Sequence, residues 1–433
     1  MNIMSMQKKI LFSFFLIILG YIILEIFSFG FYCLVKKQIF SFSRTINFSK
    51  QISLSDNTIT SLNEAQSEVL HPYLGYVYNP EINSDGFTTF HKHPISQYGF
   101  IDDAPPFYSR ANNKLIIGIF GGSVAYWFSV YGMDVLISEL KKSPAFSDKE
   151  IVVVRVALGG YKQPQQLLSL NYLLALGAEF DIIINIDGFN EVALPPAENV
   201  PKNVFPFYPR NWFIKTQNMH DSNMLLIMNE INYIRNERVK WATSFSNRLF
   251  HYSVTASLLW KTYDRYLSSE LAQNQIKLQE YRTNRQEMSY VVTGVSTHYL
   301  NEDEMYADLA RVWKNCSLQM HRLCAANNVK YFHFLQPNQY LPGSKIMGEE
   351  ELKQSFLADH PYRPGVEKGY PFLWAISKEL TKNGVNFHDL SMIFANNNEM
   401  LYADQCCHFN QKGNDHLGEI IAKHIIDNFK DYK

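Results

Sequence analysis

The sequence contains few cysteines, and their positions do not indicate a disulfide scaffold or a metal site. There are five in 433 residues. Cys33 lies in an apolar run, and Cys316 and Cys324 fall on the apolar face of a predicted helix, where burial explains them. Cys406 and Cys407 are adjacent, but no other cysteine or histidine cluster has the spacing of metal ligands. We therefore expect no disulfide framework, no metal and no cofactor.

An excess of charge of one sign is also missing. The chain has 40 Lys and Arg residues against 41 Asp and Glu residues, a net charge of −1. Scattered charges of both signs do not form the basic surface that nucleic acid requires. Nothing indicates long disorder, because 46% of the residues are hydrophobic and 15% are aromatic. The composition favours a large globular domain whose partner is a small molecule or a neutral glycan, with no nucleic acid bound.

One serine follows an apolar run in a way that indicates an exposed nucleophile. Lys114 to Phe120 is a short run rich in Ile, and Gly121, Gly122 and Ser123 follow it. This pattern predicts a buried strand that leads into a tight turn. Two glycines permit backbone conformations closed to other residues, so Ser123 can stand at the carboxyl end of the strand, where open parallel sheets place their ligands.

Two further apolar runs end in similar turns. Ile151 to Leu158 is followed by Gly159-Gly160-Tyr161, and Asp181 to Ile186 is followed by Asp187-Gly188-Phe189-Asn190-Glu191. A serine hydroxyl needs a base to become a nucleophile. The late segment Asp404-Gln405-Cys406-Cys407-His408, placed before a predicted terminal helix, offers a histidine for that purpose.

This order of motifs resembles the SGNH or GDSL hydrolase superfamily. The resemblance covers residues 114–433 discontinuously. It implies a three-layer α/β/α sandwich with a mostly parallel, flavodoxin-like sheet. It also implies an esterase that forms an acyl-serine intermediate from a small-molecule ester or an acylated glycan.

The resemblance assigns a role to each motif residue. Ser123 would be the nucleophile and His408 the general base. The backbone amides of Ser123 and Gly160 and the side-chain amide of Asn190 would form the oxyanion hole. Fixed donors of this kind stabilise the negative charge that develops on the carbonyl oxygen, and losing one typically costs about 10²–10³ in rate.

One position departs from the pattern of the superfamily. Members usually carry Asp three residues before the His, but here Gln405 has that position and Asp404 lies four residues before His408. We expect Asp404 to orient His408, with one extra residue looped out. Gln405 is the alternative, and Asp389 is a less favoured substitute.

The amino-terminal segment predicts a membrane helix. Residues 10–34 hold seventeen Leu, Ile and Phe residues and one carboxylate, Glu25, with lysines on both sides. A bilayer needs about 20 residues, and the apolar residues outweigh the cost of one carboxylate. The run lacks the small residues of a cleavage site, so we expect a single-pass anchor. The flanking basic residues lean, if anything, towards an internal carboxyl terminus, but long domains can translocate regardless of flanking charge. The resemblance to envelope enzymes favours a domain outside the cytoplasm.

The remaining boundaries follow from composition. Residues 1–9 form a tail, 35–70 a stalk or linker, and 71–433 the hydrolase-like domain. The segment at about 192–297 is too long for a loop and turns helical, so it is a predicted insertion that either caps the site or packs on the flank. Gln336 and Asn338 follow another apolar strand, and either bind substrate or satisfy the local backbone.

Two other functions fit the same residues. The acyl-enzyme could pass its acyl group to a hydroxyl of a cell-envelope glycan instead of water, which would make the chain an O-acyltransferase. The fold could also serve as a non-catalytic interaction module, since fold does not fix activity. The displaced Asp is the one feature that favours this last alternative.

Overall fold

The computed structural model of the chain contains two compact units. One comprises residues 66–217 and 289–433 and is called the catalytic unit below; the other comprises residues 1–65 and 218–288 and is called the helical unit. Parts of the predicted tail and stalk, residues 1–5 and 55–66, lie outside the described residues. The structure describes residues 6–54, 67–80, 94–102, 105–216, 222–247, 249–284 and 289–430.

The catalytic unit is built on a parallel sheet of five strands. The strands lie in the order β4-β3-β5-β6-β7, which is the flavodoxin-like order 2-1-3-4-5. A separate antiparallel hairpin of β1 and β2 precedes the sheet in the chain. The strands are β1 (Glu68–His71), β2 (Gly75–Tyr78), β3 (Lys114–Gly121), β4 (Glu150–Arg155), β5 (Ile182–Asp187), β6 (Lys330–Leu335) and β7 (Asn386–Asp389).

The three central strands form the core because both of their faces are covered. Every residue of β5 is buried, and so are all residues of β3 after Lys114. Parallel strands of this kind are continuous apolar runs rather than alternating ones, because helices cover both faces of the sheet. This explains why the sequence shows Ile-rich apolar runs in β3 and β5.

Helices pack in two groups beside the sheet. In one group α14 packs against α3 and α4; in the other α11 packs against α5, α6 and α13. The predicted three-layer α/β sandwich with a mostly parallel sheet is therefore confirmed. The helices of this unit are α3 (Ser123–Tyr131), α4 (Met133–Lys141), α5 (Gln165–Ala175), α6 (Phe189–Leu194), α7 (Trp212–Thr216), α10 (Tyr290–Thr293), α11 (Glu302–Ala326), α12 (Glu349–Ser355), α13 (Arg363–Lys382) and α14 (Gln411–Lys430).

The helical unit joins the amino-terminal segment to the middle of the predicted insertion. Its core includes Ile52 from the predicted stalk together with Ala242, Phe245 and Trp260 from the insertion. One of its helices is long and apolar enough to cross a membrane, over Lys8–Lys36, and its most apolar stretch is not buried. The helices of this unit are α1 (Met6–Lys36), α2 (Phe42–Leu54), α8 (Ser222–Asn247) and α9 (Val254–Asn284).

Candidate active site

Ser123 begins α3 directly after the turn that ends β3. Gly121 has φ +139°, and a Cβ there would lie 2.1 Å from the carbonyl oxygen of Ile186 on the neighbouring strand. Only glycine fits such a close approach. Because Ser123 is the first residue of a nine-residue helix, its N–H has no acceptor within that helix and the helix dipole favours negative charge beside it. The turn thus presents both the hydroxyl and a backbone donor.

Asn190 lies beside this turn, on α6 after β5. Its Nδ2 donates to the carbonyl oxygen of Tyr161 over 2.7 Å, and a Cβ on Gly122 would lie 2.0 Å from the same nitrogen. The Glu191 carboxylate fixes the start of α6, because it accepts the Gly188 N–H over 2.8 Å and the Gln163 N–H over 2.9 Å. An amide nitrogen has two hydrogens, so one N–H of Asn190 remains for a ligand.

Gly160 occupies a tight turn after β4. The Tyr161 N–H donates to the carbonyl oxygen of Leu158 over 3.1 Å, and Gly160, the third residue of this turn, has φ +76°. That conformation is the one in which a type II turn requires glycine. A Cβ on Gly160 would lie 2.3 Å from Cδ of Arg210, so a side chain has no room there.

Asp404 and His408 are paired. Nδ1 of His408 hydrogen-bonds to Oδ2 of Asp404. Oδ1 accepts the backbone N–H groups of Cys406 over 2.9 Å and Cys407 over 3.1 Å, so the extra residue is accommodated in a turn around the carboxylate. Burial alone would raise the pKa of Asp404, but the hydrogen bond and charge of His408 and these N–H groups outweigh it and lower the pKa below its ordinary value.

Neither alternative to Asp404 is the hydrogen-bond partner of Nδ1 of His408. The carboxylate of Asp389 accepts the N–H of Ser391 over 2.9 Å at the end of β7. The carbonyl oxygen of Gln405 accepts the hydroxyl of Tyr340 over 2.5 Å. The carboxylate four residues before the histidine is therefore the group in contact with the imidazole.

His408 stacks on Trp127 of α3. The ring centroids are 4.8 Å apart and the planes lie 16° from parallel. Trp127 follows Ser123 by one helical turn, and helical side chains tilt towards the amino terminus of their helix. The stacking therefore places the imidazole above the first turn of α3, where Ser123 lies.

The structure does not show a hydrogen bond between His408 and Ser123. Nε2 of His408 is buried without a partner among the described residues. The Ser123 side chain instead lies beside the thiol of Cys407. Hydrogen bonds of catalytic groups are often misaligned before substrate binds. The orphaned Nε2 leaves the imidazole with an open acceptor position for the serine proton.

The predicted substrate-binding amides are buried beneath the loop that carries His408. Asn338 is fully buried and donates to the carbonyl oxygen of Cys406 over 3.4 Å. Gln339 donates to that of Asp404 over 3.0 Å. Gln336 is 3% exposed, and its Nε2 has no partner in the described part of the chain. In this structure Asn338 therefore positions backbone, the second of the two roles considered for it.

Comparisons with known proteins give likenesses of fold only. No family model and no curated protein matched the chain. Among solved structures it is similar to a GDSL-like lipase from Bacteroides thetaiotaomicron, at 11% identity and TM-score 0.33, covering 74% of this chain and 92% of that one. It is also similar to an acetyl xylan esterase, at 11% identity and TM-score 0.32, covering 72% of this chain and 99% of that one. An aryl esterase from M. smegmatis is similar at 12% identity and TM-score 0.27, covering 72% of this chain and 98% of that one.

Similarities this distant give no information about the reaction. The strand order of the sheet agrees with the fold that the motifs predicted, and Ser123, Gly160 and Asn190 lie in the segments that directly follow β3, β4 and β5. Any activity has to be argued from the site itself.

The sequence did not indicate four residues at or near the site. Trp127 supports the imidazole, Cys407 contacts the serine, and Gln339 fixes the loop backbone. The i, i+4 spacing from Ser123 was the one available signal for Trp127. Arg210 was also missed; it packs on Gly160 and pairs with Glu198 over 3.2 Å.

A second Ser, His and Asp chain lies inside the core. Ser317 Oγ is 2.7 Å from His333 Nδ1, and His333 Nε2 is 2.7 Å from Asp187 Oδ1. Trp313 also donates to this carboxylate over 2.7 Å. None of these side chains is exposed by more than 2%, so substrate has no access to them. The network satisfies buried polar groups beneath the site.

Proposed function

We propose that the catalytic unit is a serine esterase that works through an acyl-serine intermediate. One observation carries the proposal: the Asp404 and His408 pair leaves Nε2 of the imidazole unpartnered above the helical turn that begins with Ser123. A carboxylate that holds Nδ1–H in place makes Nε2 the proton acceptor. Activation of an adjacent hydroxyl is the chemistry that this arrangement supports.

The residues account for each step of ester cleavage. Ser123 Oγ attacks the carbonyl carbon while its proton passes to Nε2 of His408. The carbonyl oxygen, now negative, takes hydrogen bonds from the N–H groups of Ser123 and Gly160 and from the Asn190 amide. His408 then gives its proton to the leaving alcohol. His408 takes a proton from water as the water attacks the acyl-serine. The bond from the acyl carbon to Ser123 Oγ then breaks, the proton on His408 returns to that oxygen, and the acid is released.

Cys407 does not compete with Ser123 as the nucleophile. Its thiol is fully buried, and this burial raises its pKa well above the ordinary value. Because the thiolate is the reactive form, such a thiol is inert near neutral pH.

The contacts of Asp404 argue against the non-catalytic alternative. The displaced aspartate was the feature that favoured an interaction module, but the turn around Asp404 keeps its carboxylate on the imidazole. A non-catalytic module would have no need of a carboxylate held against this imidazole by a turn of its own.

We also propose that α1 anchors the protein in a membrane, with the catalytic unit outside the cytoplasm. The helix has 31 residues, about 46 Å, which exceeds the hydrocarbon thickness of about 30 Å. From Ile10 to Leu24 every residue is exposed, so water would meet a wholly apolar surface there. Protease treatment of intact cells tests the orientation, because an outside domain is degraded and an inside one is protected.

The esterase proposal is tested with the full chain in detergent and a fluorophosphonate, followed by intact mass. We expect one adduct on the wild type and none on Ser123→Ala or His408→Ala. Ser317→Ala is the matched control, since this serine also contacts a histidine but is buried; it should label fully. A folded wild type without an adduct would overturn the proposal. Acyl release measured with and without glycan acceptors then separates hydrolysis from transfer.

A further inference from the structure

Glu25, the single carboxylate of the apolar run, has its partners at the start of α9. Its two oxygens accept the hydroxyl of Ser253 over 2.5 Å, the N–H of Val254 over 2.6 Å and the N–H of Thr255 over 3.2 Å. Ser28, one turn further along α1, hydrogen-bonds to the Thr255 hydroxyl over 2.8 Å. The carboxylate thus caps α9 and satisfies N–H groups that a helix start leaves open.

These contacts fix where the start of α9 lies along α1. If Lys8 and Lys9 stand at one membrane surface, a hydrocarbon layer of about 30 Å extends over about 20 residues, to Phe29. Glu25 then lies about 6 Å inside the opposite boundary. Since α9 begins against this carboxylate, the turn between α8 and α9 lies at the same depth.

The composition of this turn suits such a position. Three of its large side chains, and Leu259 in the second turn of α9, are mostly exposed: Leu249 (81%), Phe250 (53%), Tyr252 (67%) and Leu259 (68%). Residues 249–260 contain no Asp, Glu, Lys or Arg, and Arg248 and Lys261 bound the run. Apolar side chains between basic residues are typical of segments that dip into a membrane with anionic headgroups.

An apolar cavity of 640 Å³ adjoins the turn within the helical unit. Aromatic residues dominate its lining, and they include Trp241, Phe245, Trp260 and Tyr263. Trp and Tyr are enriched where hydrocarbon meets headgroups. The cavity therefore continues the apolar surface of the turn at the level expected for the membrane interface.

We propose that residues 249–259, here called the membrane tip, enter the bilayer beside α1 and contact its acyl chains. The proposal rests on the proposed anchoring by α1. The exposed apolar surface of α1 continues onto the tip, so the same bilayer covers both. Without Glu25 the first N–H groups of α9 would be unsatisfied in hydrocarbon, which costs several kcal/mol per group. This capping of α9 also explains why a carboxylate lies within an apolar helix.

The test uses the full chain in vesicles of phosphatidylcholine and phosphatidylglycerol whose acyl chains carry bromine, a short-range quencher. A fluorescent amino acid replaces Phe250 in one protein and Ile276 in another. Both positions are exposed and apolar, but Ile276 lies about 33 Å beyond Val254 along α9. We expect the probe at 250 to lose most of its fluorescence and the probe at 276 to lose none.

Flotation of the same vesicles separates the two proposals. A protein that floats with the probe at 250 unquenched would overturn the membrane tip and leave the anchor intact. A protein that does not float would overturn both. In a floating protein, Glu25→Ala should reduce quenching at 250, because the tip loses its attachment to α1, whereas the exposed Glu230→Ala should not.

Discussion

The indole of Trp127 lies parallel to the imidazole of His408, with ring centroids 4.8 Å apart. Trp127 belongs to the helix that Ser123 begins, while His408 comes from a loop nearly three hundred residues later. The contact therefore ties the imidazole to the helix that carries Ser123. In the proposed mechanism Trp127 is a positioning residue whose effect on the reaction passes through the imidazole.

Removing the indole should slow the reaction without weakening substrate binding. We expect Trp127→Ala to lower kcat on the order of 10²-fold, as small misplacements of catalytic groups do, with KM little changed. Trp127→Phe, which keeps an aromatic face, should retain most of the rate. Steady-state kinetics on a chromogenic ester measures both. Equal losses in the two variants would indicate a general packing defect and contradict the positioning role.

Asp404 rather than Gln405 should control the base. Asp404→Asn is expected to lower kcat by about 10⁴, the cost of this change in a serine-protease triad. Gln405→Ala should have little effect, since its carbonyl oxygen, not its side chain, holds the Tyr340 hydroxyl. The ratio of kcat values for the two neighbouring variants decides between them. A larger loss in Gln405→Ala would assign the orienting role to the amide.

The lowered pKa of Asp404 also predicts an effect on stability in acid. In the unfolded state the Asp404 carboxylate binds a proton near pH 4, whereas in the folded state it binds one only at lower pH. The free energy of unfolding gained from this group is therefore complete above about pH 4 and is lost as pH falls through the folded pKa. Thermal unfolding between pH 6 and pH 3 should show a steeper loss for wild type than for Asp404→Asn. If the two proteins lose thermal stability equally as pH falls, the partners of the Asp404 carboxylate do not stabilise the folded state.

The Asn190 amide should matter for rate more than for stability. We expect Asn190→Ala to lower kcat by about 10²–10³. Asn199→Ala is the matched control, because this amide is also buried and donates to backbone oxygens, over 3.2 Å to Phe205 and to Tyr208. Both variants should lose stability by about 1–3 kcal/mol, and only the first should lose kcat. An unchanged kcat in Asn190→Ala would remove it from the oxyanion hole.

Cys407 should prove dispensable for chemistry. Cys407→Ala is expected to retain fluorophosphonate labelling, because Ser123 and His408 are untouched and the buried thiol is not the nucleophile in the proposed mechanism. Iodoacetamide at neutral pH should leave Cys407 of the folded wild type unmodified, which peptide mass mapping shows. Alkylation of Cys407 that abolishes activity, combined with an inactive Cys407→Ala, would point to a thiol nucleophile instead.

The sequence alone determined the strands and the turns that follow them. Strands covered on both faces must be unbroken apolar runs, and the turns at Gly121 and Gly160 require φ values that only glycine adopts freely, so both leave a local pattern. The positions of Ser123 and Asn190 follow from these turns because the carboxyl ends of neighbouring parallel strands share one edge.

Only the tertiary structure decided which groups touch. Whether Asp404 reaches His408 depends on a turn held by backbone N–H groups, and the burial of Asn338 depends on the loop packed over it. The partnership of Glu25 with the start of α9 joins segments more than two hundred residues apart. Such contacts depend on how elements far apart in the chain pack together, and the local periodicity of the sequence does not predict this packing.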